Sequence, residues 1–311
     1  MARMLDRLTR WRDVAFVLSG GGNLGAMQVG MLKALAERGI VADQVLGCSV
    51  GALNGAAYAA DPTADGVAAL EEAWLGLSDE ELMPSGWIPR SVQMARKGDS
   101  LHDNEGLRSL TESVIGPRRF GELDVPFQCV ATRIADAAEV WFSDGALIPA
   151  ILASAALPAV YPAVEIDGHG HIDGGVVNDV PITRAVELGY RRIFVLQVGN
   201  YDRPRPQPKR PLDVLVQSFW IARRHRFHRD LHNLPSSARV HVLPTGDHPD
   251  VRYNDFSRTE HLIQHAYEAT SARLDSTPPS EMWSDQVARP SLGEPAAPPE
   301  PDPSQTSETP S

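Results

Sequence analysis

The sequence predicts an α/β protein with a mainly parallel central sheet between two layers of helices. The first observation is a short apolar run, Val14–Leu18, which ends in a glycine cluster and is followed by apolar residues at helical spacing. The second is that this order repeats, because an apolar run beginning at Gln44 leads into a small-residue helix beginning at Val50. Strands and helices in alternation give parallel strands joined by crossover helices. We therefore expect a three-layer α/β/α architecture.

The remaining elements follow from apolar runs and helical spacing. The first helix is expected from Asn23 to Arg38, and Gly39 ends it. Further strands are expected at 127–132, 139–142, 193–198 and 240–243. Further helices are expected at 65–77, 104–115, 181–188, 212–234 and 258–274. The segment 78–103 shows no regular pattern and is interpreted as a surface loop, with a mobile cover over an apolar pocket as the alternative.

Composition divides the chain into a lead-in over residues 1–13, one globular domain over 14–276 and a tail over 277–311. The tail carries six acidic residues, one basic residue and nine of the 25 prolines. It shows almost no apolar periodicity, so we expect it to be disordered. The lead-in mixes charged and apolar residues and lacks the continuous apolar core of a signal peptide.

Charge and hydropathy exclude several classes of protein. The formal net charge of −11 argues against general nucleic-acid binding. The two cysteines, Cys48 and Cys129, fall on separate buried segments, which favours a reducing compartment over a disulfide framework. The most apolar long stretch, 146–164, is interrupted by three prolines, whereas a membrane span needs about 20 apolar residues. We therefore expect a cytoplasmic protein that contacts membranes at most peripherally.

The pentapeptide Gly47–Gly51 matches the G-x-S-x-G nucleophile elbow, with Ser49 at its centre. A serine at a sharp strand-to-helix turn needs neighbours without side chains, because a Cβ would clash there; this gives Gly47 and Gly51 their role. The predicted strand before Ser49 and the small-residue helix after it supply the required context. Ser49 is thus the candidate nucleophile, and adjacent Cys48 is interpreted as a small buried residue.

A second glycine cluster lies where the first strand meets the first helix. Its backbone amides could converge on an oxyanion, and the candidate residues are Gly20, Gly21, Gly22, Asn23 and Gly25. The same residues satisfy G-x-G-x-x-G, the dinucleotide-binding fingerprint. That alternative also needs an acidic residue at the end of the second strand, and only Asp43, before that strand, is available. A purely structural glycine turn is the third interpretation.

An Asp-Gly-Gly segment, formed by Asp173, Gly174 and Gly175, follows a short predicted strand. Taken alone, an aspartate followed by two glycines is most simply a turn. His171 lies two residues before Asp173, so a Ser–His–Asp triad and a crude metal-ligand spacing with His169 are both alternatives. We interpret the two histidines as a solvated pair at a strand edge and expect no metal site.

These motifs, in this order, resemble those of the patatin-like phospholipases, a family of serine acyl hydrolases. The glycine-rich loop, the elbow serine and the later Asp-Gly-Gly carry the resemblance, which runs from about Val14 to Leu243. The segment Ala153 to Pro158 is also similar to the family. The resemblance implies a patatin-like α/β fold and a Ser49–Asp173 dyad. One departure is Leu24, which stands where the family often has arginine, so a positive charge beside the oxyanion site is missing.

The dyad has a coherent chemistry. Asp173 would accept the Ser49 proton as the hydroxyl attacks an ester carbonyl, and would then activate the water that releases the acid from the acyl-enzyme. A carboxylate is a weak base unless it is partly desolvated, so a largely apolar setting around Asp173 is expected. The apolar segment 147–164 is the expected source of that setting.

The sequence thus predicts hydrolysis of the carboxylic esters of lipids, without a metal or nucleotide cofactor. The region from Arg203 to Arg229 carries eight basic residues and one acidic residue, beside aromatic side chains. A solvated face is the simplest interpretation, and peripheral contact with an anionic membrane surface is the alternative. Two alternative functions remain: a catalytically inactive scaffold that binds lipid or protein, and a dinucleotide-binding oxidoreductase.

Overall fold

The structure is a computed structural model that describes residues 14–77, 103–116, 118–199, 201, 207–208, 211–246 and 255–278. The predicted lead-in over 1–13, the irregular segment up to residue 102 and all but the first two residues of the predicted tail lie outside these residues. Within helix 211–232, the side chains of 211–213, 215 and 216 are also outside the description.

The described part of the chain contains one sheet of eight strands. In chain order they are β1 Val14–Leu18, β2 Gln44–Cys48, β3 Phe127–Arg133, β4 Ala138–Phe142, β5 Val164–Ile166, β6 His169–Asp173, β7 Arg192–Leu196 and β8 Arg239–Val242. Strands β3, β2, β1, β7 and β8 lie side by side in that order and are parallel. Strands β4 and β6 pair antiparallel with β3, and β5 pairs antiparallel with β6.

The described helices are α1 Ala26–Glu37, α2 Val50–Ala60, α3 Ala64–Leu75, α4 Glu105–Ile115, α5 Leu147–Ser154, α6 Ile182–Glu187, α7 Pro211–His232 and α8 Thr259–Ser276. Each predicted helix and strand is present, with ends displaced by a few residues. The first helix begins at Ala26 because Gly22–Gly25 forms a 3-10 turn. Helix α5 and strand β5 were not predicted, and both lie in the proline-interrupted apolar stretch.

Helices cover both faces of the sheet, as β1 shows most clearly. Val14, Phe16 and Leu18 point into one apolar core, which also contains side chains from α1, α2, α3 and α8. Ala15 and Val17 point into a second core, formed with α6 and α7. Successive side chains of a strand alternate between the two faces, and a strand buried on both faces is apolar throughout. The predicted three-layer α/β/α fold is therefore confirmed.

Strand β3 has different partners along its two edges. Strand β4 pairs with residues 129–133 of β3 and occupies one edge. Strand β2 pairs with residues 127–130, and β6 pairs with residues 131–133. Residues in both of these stretches also pair with β4. Strands β2 and β6 must therefore lie on the opposite edge, one after the other.

The carboxyl ends of β2 and β6 meet on this shared edge. Strand β2 runs parallel to β3 and β6 runs antiparallel, so the two strands approach each other head to head. Cys48, the last residue of β2, lies opposite Val130, and Asp173, the last residue of β6, lies opposite Ala131. The topology therefore brings the residue after Cys48, which is Ser49, next to Asp173.

The core around β1 provides a test of the fold. Phe16 is fully buried, with its ring centroid 5.3 Å from that of Tyr58 and 5.9 Å from that of Phe194. We expect Phe16→Ala to lower the free energy of unfolding by about 3–5 kcal/mol, because it leaves a cavity in this core. Ile134→Ala, at a side chain that is 53% exposed, should change it by less than about 0.5 kcal/mol. Urea unfolding measures both, and equal effects would contradict the assigned packing.

Candidate active site

Ser49 occupies a strained backbone position between β2 and α2. Its φ of 54° and ψ of −123° lie in a region that residues with a side chain rarely adopt. A Cβ on Gly47 would overlap the backbone of Gly51, and a Cβ on Gly51 would overlap the Leu18 carbonyl. The turn is therefore tight enough to require both glycines, as the elbow pattern predicts.

Helix α5 fixes the elbow from the side. The backbone N–H of Ser49 donates to Ser154 Oγ at 3.0 Å, and Ser154 is fully buried. This hydrogen bond satisfies an amide that the turn would otherwise leave without an acceptor. The Ser49 side chain stays half-buried, so it is accessible from solvent.

Asp173 is held by its backbone on both sides. Its N–H donates to the Ala156 carbonyl at 2.9 Å, and its carbonyl accepts from the Thr132 hydroxyl at 2.9 Å. Its carboxylate atom Oδ1 accepts from the Gly175 N–H at 2.7 Å. The residue is 1% exposed, and Oδ2 has no hydrogen-bond partner among the described residues. One carboxylate oxygen is therefore fixed, and the other is left for a further partner.

The surroundings of Asp173 act on its pKa in opposite directions. Burial raises the pKa above its ordinary value, because desolvation disfavours the charged carboxylate. The positive charge of Arg223, the nearby Ser49 hydroxyl and the hydrogen bond from the Gly175 amide lower it, and the negative charge of Asp179 raises it further. The net result is a raised pKa, as the expected desolvation of Asp173 requires. Apolar α5 and Ala156 supply part of that environment, as the sequence indicated.

A buried cluster of charged groups lies next to Asp173. Arg223 of α7 places Nη2 3.6 Å from Asp173 Oδ1 and Nη1 3.4 Å from Asp179 Oδ1. Its Nε donates to the Gly175 carbonyl at 2.9 Å. Tyr201 donates its hydroxyl to Asp179 Oδ2 at 2.6 Å. Sequence reasoning did not find Arg223, Asp179 or Tyr201, because nothing local in the chain links them to Asp173.

The glycine-rich loop divides its residues between two tasks. The Gly20 N–H donates to the Asp179 carbonyl at 3.3 Å, so it is not available to an oxyanion, contrary to expectation. A Cβ at Gly20 would lie 2.6 Å from Asp179 Oδ1, so this glycine provides space. Among the described residues, the amides of Gly21 and Gly22 have no backbone acceptor. These two amides stay candidates for the oxyanion hole.

Asn23 and Gly25, also predicted to serve the oxyanion hole, make structural contacts as well. The Asn23 side chain donates to the Asp255 carbonyl at 2.7 Å. A Cβ on Gly25 would overlap Val50 and approach the Trp74 ring to 2.9 Å. Gly25 therefore allows the loop to pack closely against α2 and α3.

A buried chain of amide groups anchors both ends of the loop. Gln28 Nε2 donates to the Ser19 carbonyl at 2.8 Å, and its Oε1 accepts from Asn54 Nδ2 at 2.9 Å. The same Asn54 amide donates to the Gly25 carbonyl at 3.0 Å, and Asn54 Oδ1 accepts from Trp74 Nε1 at 2.8 Å. A fully satisfied buried network of this kind restricts the loop to one conformation.

The predicted role of the histidines needs a correction. His169 is exposed, but His171 is only 3% exposed and packs its ring against Phe142 at a centroid distance of 5.4 Å. His171 lies two residues before the end of β6, about 7 Å farther along the strand from the elbow than Asp173. This position does not favour a Ser–His–Asp triad. The described residues contain no cluster of three potential metal ligands.

The basic region is also not the free surface that its composition indicated. Arg224 donates to the Tyr201 carbonyl, and Arg226 pairs with Glu139 at 3.0 Å and with Asp230 at 3.2 Å. Arg229 lies 3.3 Å from Asp230. Arg223, Arg224 and Arg226 thus connect α7 to other parts of the protein, whereas Arg229 pairs within the helix. Four basic residues of the region, Arg203, Arg205, Lys209 and Arg210, lie outside the described residues.

The chain is similar to known proteins of one family. The family model described as patatin-like phospholipase matches residues 16–186, which is more than half of the chain. The chain therefore belongs to the patatin-like phospholipase family. This assignment gives no support to the dinucleotide-binding alternative, and Asp43, its one candidate acid, accepts a hydrogen bond from the Val14 amide at 3.1 Å.

Curated relatives match a similar part of the chain. Patatin-like phospholipase domain-containing protein 7 of Rattus norvegicus is 30% identical over 200 residues, which cover 64% of this chain and 14% of the relative. An uncharacterised NTE family protein of Mycobacterium bovis is 28% identical over 214 residues, 68% of this chain and 55% of the relative. The match thus spans only part of the length of these relatives. The crystal structure of VipD from Legionella pneumophila shares the fold, with a TM-score of 0.52, 14% identity and coverage of 86% of this chain and 67% of that one.

No described helix is long and apolar enough to cross a membrane.

The buried cysteines yield a chemical prediction. Burial raises the pKa of the Cys48 thiol well above its ordinary value, and the charges of Asp173 and Asp179 raise it further; burial also raises the pKa of Cys129. Both residues are fully buried and free, and the chain has two cysteines. Iodoacetamide at pH 8 should therefore give no adduct on the folded protein and two adducts in denaturant, measured by intact mass. Rapid alkylation of Cys48 in the folded protein would contradict its buried role.

Proposed function

We propose that the protein hydrolyses carboxylic ester bonds of lipids through a Ser49–Asp173 dyad. The head-to-head meeting of β2 and β6 on one edge of β3 is the observation that carries this proposal. It puts a half-buried serine at a strained elbow beside a buried carboxylate, one oxygen of which has no hydrogen-bond partner among the described residues. Membership of the patatin-like phospholipase family supports the lipid ester as the substrate class.

The reaction begins with proton transfer from Ser49. As Ser49 Oγ attacks the ester carbonyl carbon, its proton passes to Asp173 Oδ2. This oxygen has no hydrogen-bond partner among the described residues. Oδ1 stays bound to the Gly175 amide and keeps the carboxylate oriented. The tetrahedral intermediate collapses to an acyl-enzyme, and the proton on Asp173 passes to the leaving alcohol. Asp173 then takes a proton from water, whose oxygen attacks the acyl carbon. As the bond between the acyl group and Ser49 Oγ breaks, Asp173 returns this proton to Ser49 Oγ and the acid is released.

Backbone amides stabilise the negative charge that develops on the carbonyl oxygen. The amides of Gly21 and Gly22 are the donors proposed for this task, and Gly22 is exposed at the entrance to the site. Leu24 leaves the loop without a charged side chain of its own. Stabilisation of the oxyanion therefore depends on the orientation of the loop, which the buried network of Gln28, Asn54 and Trp74 maintains.

Peripheral contact with an anionic membrane surface is a second, narrower part of the proposal. Three of the arginines described in α7, Arg223, Arg224 and Arg226, bind groups elsewhere in the protein, and Arg229 is exposed beside Asp230 of its own helix. The proposal depends instead on the charges of Arg203, Arg205, Lys209 and Arg210, which precede α7 in the sequence.

Substitution of either dyad residue tests the reaction. Ser49→Ala removes the nucleophile and Asp173→Asn removes the base, so each should lower kcat/KM for a lipid ester by at least about 10³-fold. A fluorophosphonate probe should label the wild type but not Ser49→Ala. His171→Ala should keep its label, because the serine does not depend on this histidine.

Ser113→Ala is the matched control, since Ser113 is an exposed serine on α4 whose hydroxyl donates to Leu110 of its own helix. Circular dichroism and the melting temperature show whether each variant is folded. Wild-type turnover in folded Ser49→Ala or Asp173→Asn would refute the dyad. A folded wild-type protein that neither labels nor turns over ester would favour the inactive scaffold.

The pH dependence of the reaction follows from the burial of Asp173. A general base must be deprotonated, and burial raises the pKa of Asp173 above its ordinary value of about 3.9. Activity should therefore fall as the pH decreases through this raised pKa, and the midpoint of the acid limb of kcat/KM should lie above about pH 4. A pH profile with a soluble ester measures the midpoint. Full activity below pH 4 would show that Asp173 is not the base.

A further inference from the structure

We propose that Arg223 is a positioning residue for this reaction, which reaches from α7 to hold the Asp173 carboxylate oriented and charged. The inference rests on the proposed function, because Arg223 has this task only if Asp173 is the base. It also gives the basic helix α7 a role inside the protein. Nothing in the local sequence connects the two residues, which lie fifty positions apart.

The guanidinium group is fixed from several sides. It contacts both carboxylates, with Nη2 3.6 Å from Asp173 Oδ1 and Nη1 3.4 Å from Asp179 Oδ1. Its Nε donates to the Gly175 carbonyl at 2.9 Å, and its central carbon lies 4.3 Å from the centre of the Phe219 ring. Only 17% of the side chain is exposed. A planar group with this many directional contacts has one orientation, and it presents its charge to Oδ1 of Asp173.

The second glycine of the Asp-Gly-Gly motif makes this approach possible. A Cβ on Gly175 would overlap Nη2 of Arg223 and would lie 2.8 Å from Asp179 Oδ1. Position 174 requires a glycine for a different reason, because a Cβ on Gly174 would overlap the Val130 carbonyl of β3. The motif therefore has two functions: Gly174 lets the chain pass β3, and Gly175 admits the arginine.

Several charged or titratable groups lie near Asp173 among the described residues. Cys48 and Ser49 face it from the elbow, Asp179 from the segment after the Asp-Gly-Gly motif, and Arg223 from α7. Tyr201 reaches the cluster through Asp179, and His171 lies two residues earlier on β6. Burial keeps the Cys48 thiol neutral because it raises the thiol pKa. Two buried carboxylates thus share one guanidinium.

The arginine remains charged in this setting. Burial acts to lower the pKa of Arg223, but Asp179 and Asp173 outweigh burial and raise it. Removing its charge would leave two neighbouring carboxylates without compensation, and the pKa of Asp173 would rise. Removing the charge of Asp179 would have the opposite effect, because Asp179 raises the pKa of Asp173. The two changes therefore predict shifts of opposite sign.

The test compares the acid limb of kcat/KM for a soluble ester across variants. For Arg223→Gln we expect the midpoint to move upward by about one pH unit or more, with part of the lost activity recovered at higher pH. For Asp179→Asn we expect the midpoint to move downward. Arg229→Gln is the matched control on the same helix, since Arg229 contacts Asp230 and its side chain is 55% exposed. Its profile should coincide with that of the wild type.

Arg223→Lys covers the case in which Arg223→Gln fails to fold. Lysine retains the positive charge but cannot donate the Nε hydrogen bond to Gly175. Its acid limb should therefore stay close to that of the wild type, while kcat is reduced. Circular dichroism and the melting temperature establish which variants are folded.

An acid limb that stays in place in folded Arg223→Gln would overturn the assignment. A shift of Asp179→Asn in the same direction as Arg223→Gln would also overturn it, because a loss of packing moves both variants alike. Failure of the proposed function itself would look different: Ser49→Ala would then hydrolyse the ester as fast as the wild type, and the role of Arg223 would fall with it.

Discussion

The candidate site depends on how β3 shares one of its edges. Strand β2 covers the first half of this edge and β6 the second half, and they run in opposite directions, so their last residues become neighbours. Neither strand could be extended without displacing the other. The elbow at Ser49 and the turn at Asp173 follow directly from this junction, because each of the two strands must leave the sheet where the other ends. The antiparallel direction of β6 in a mainly parallel sheet is therefore what brings Asp173 next to Ser49.

The junction lies inside the protein, which creates an electrostatic problem. A base in this position must be charged, yet burial of Asp173 disfavours the charge. Helix α7 offsets this by bringing Arg223 to the two carboxylates, and the loop glycines leave the space that the cluster needs. Gly20 and Gly175 are thus explained by the same cluster, although one belongs to the glycine-rich loop and the other to the Asp-Gly-Gly motif. The three sequence motifs meet around one buried group of charges.

Local patterns were enough to predict most strands, most helices and the elbow, because these depend on short-range periodicity and on turn geometry. Helix α5 was missed because Pro149 lies in its first turn, where proline is tolerated, and was interpreted as an interruption. The burial of His171 was missed because strand periodicity does not show which face is covered. The charge cluster was beyond sequence reasoning, since Arg223 reaches Asp173 and Asp179 only through the packing of α7. The basic composition of that helix pointed to a membrane surface, whereas most of its described arginines contact the protein itself.

The most direct test of the Ser49–Asp173 dyad is a crystal structure of the fluorophosphonate adduct. We expect phosphorus to be bonded to Ser49 Oγ, next to the Asp173 carboxylate, because the ends of β2 and β6 adjoin. We also expect the phosphoryl oxygen to accept hydrogen bonds from the Gly21 and Gly22 amides. An adduct on another residue, or a Ser49 adduct whose phosphoryl oxygen points away from the glycine-rich loop and from Asp173, would contradict the account.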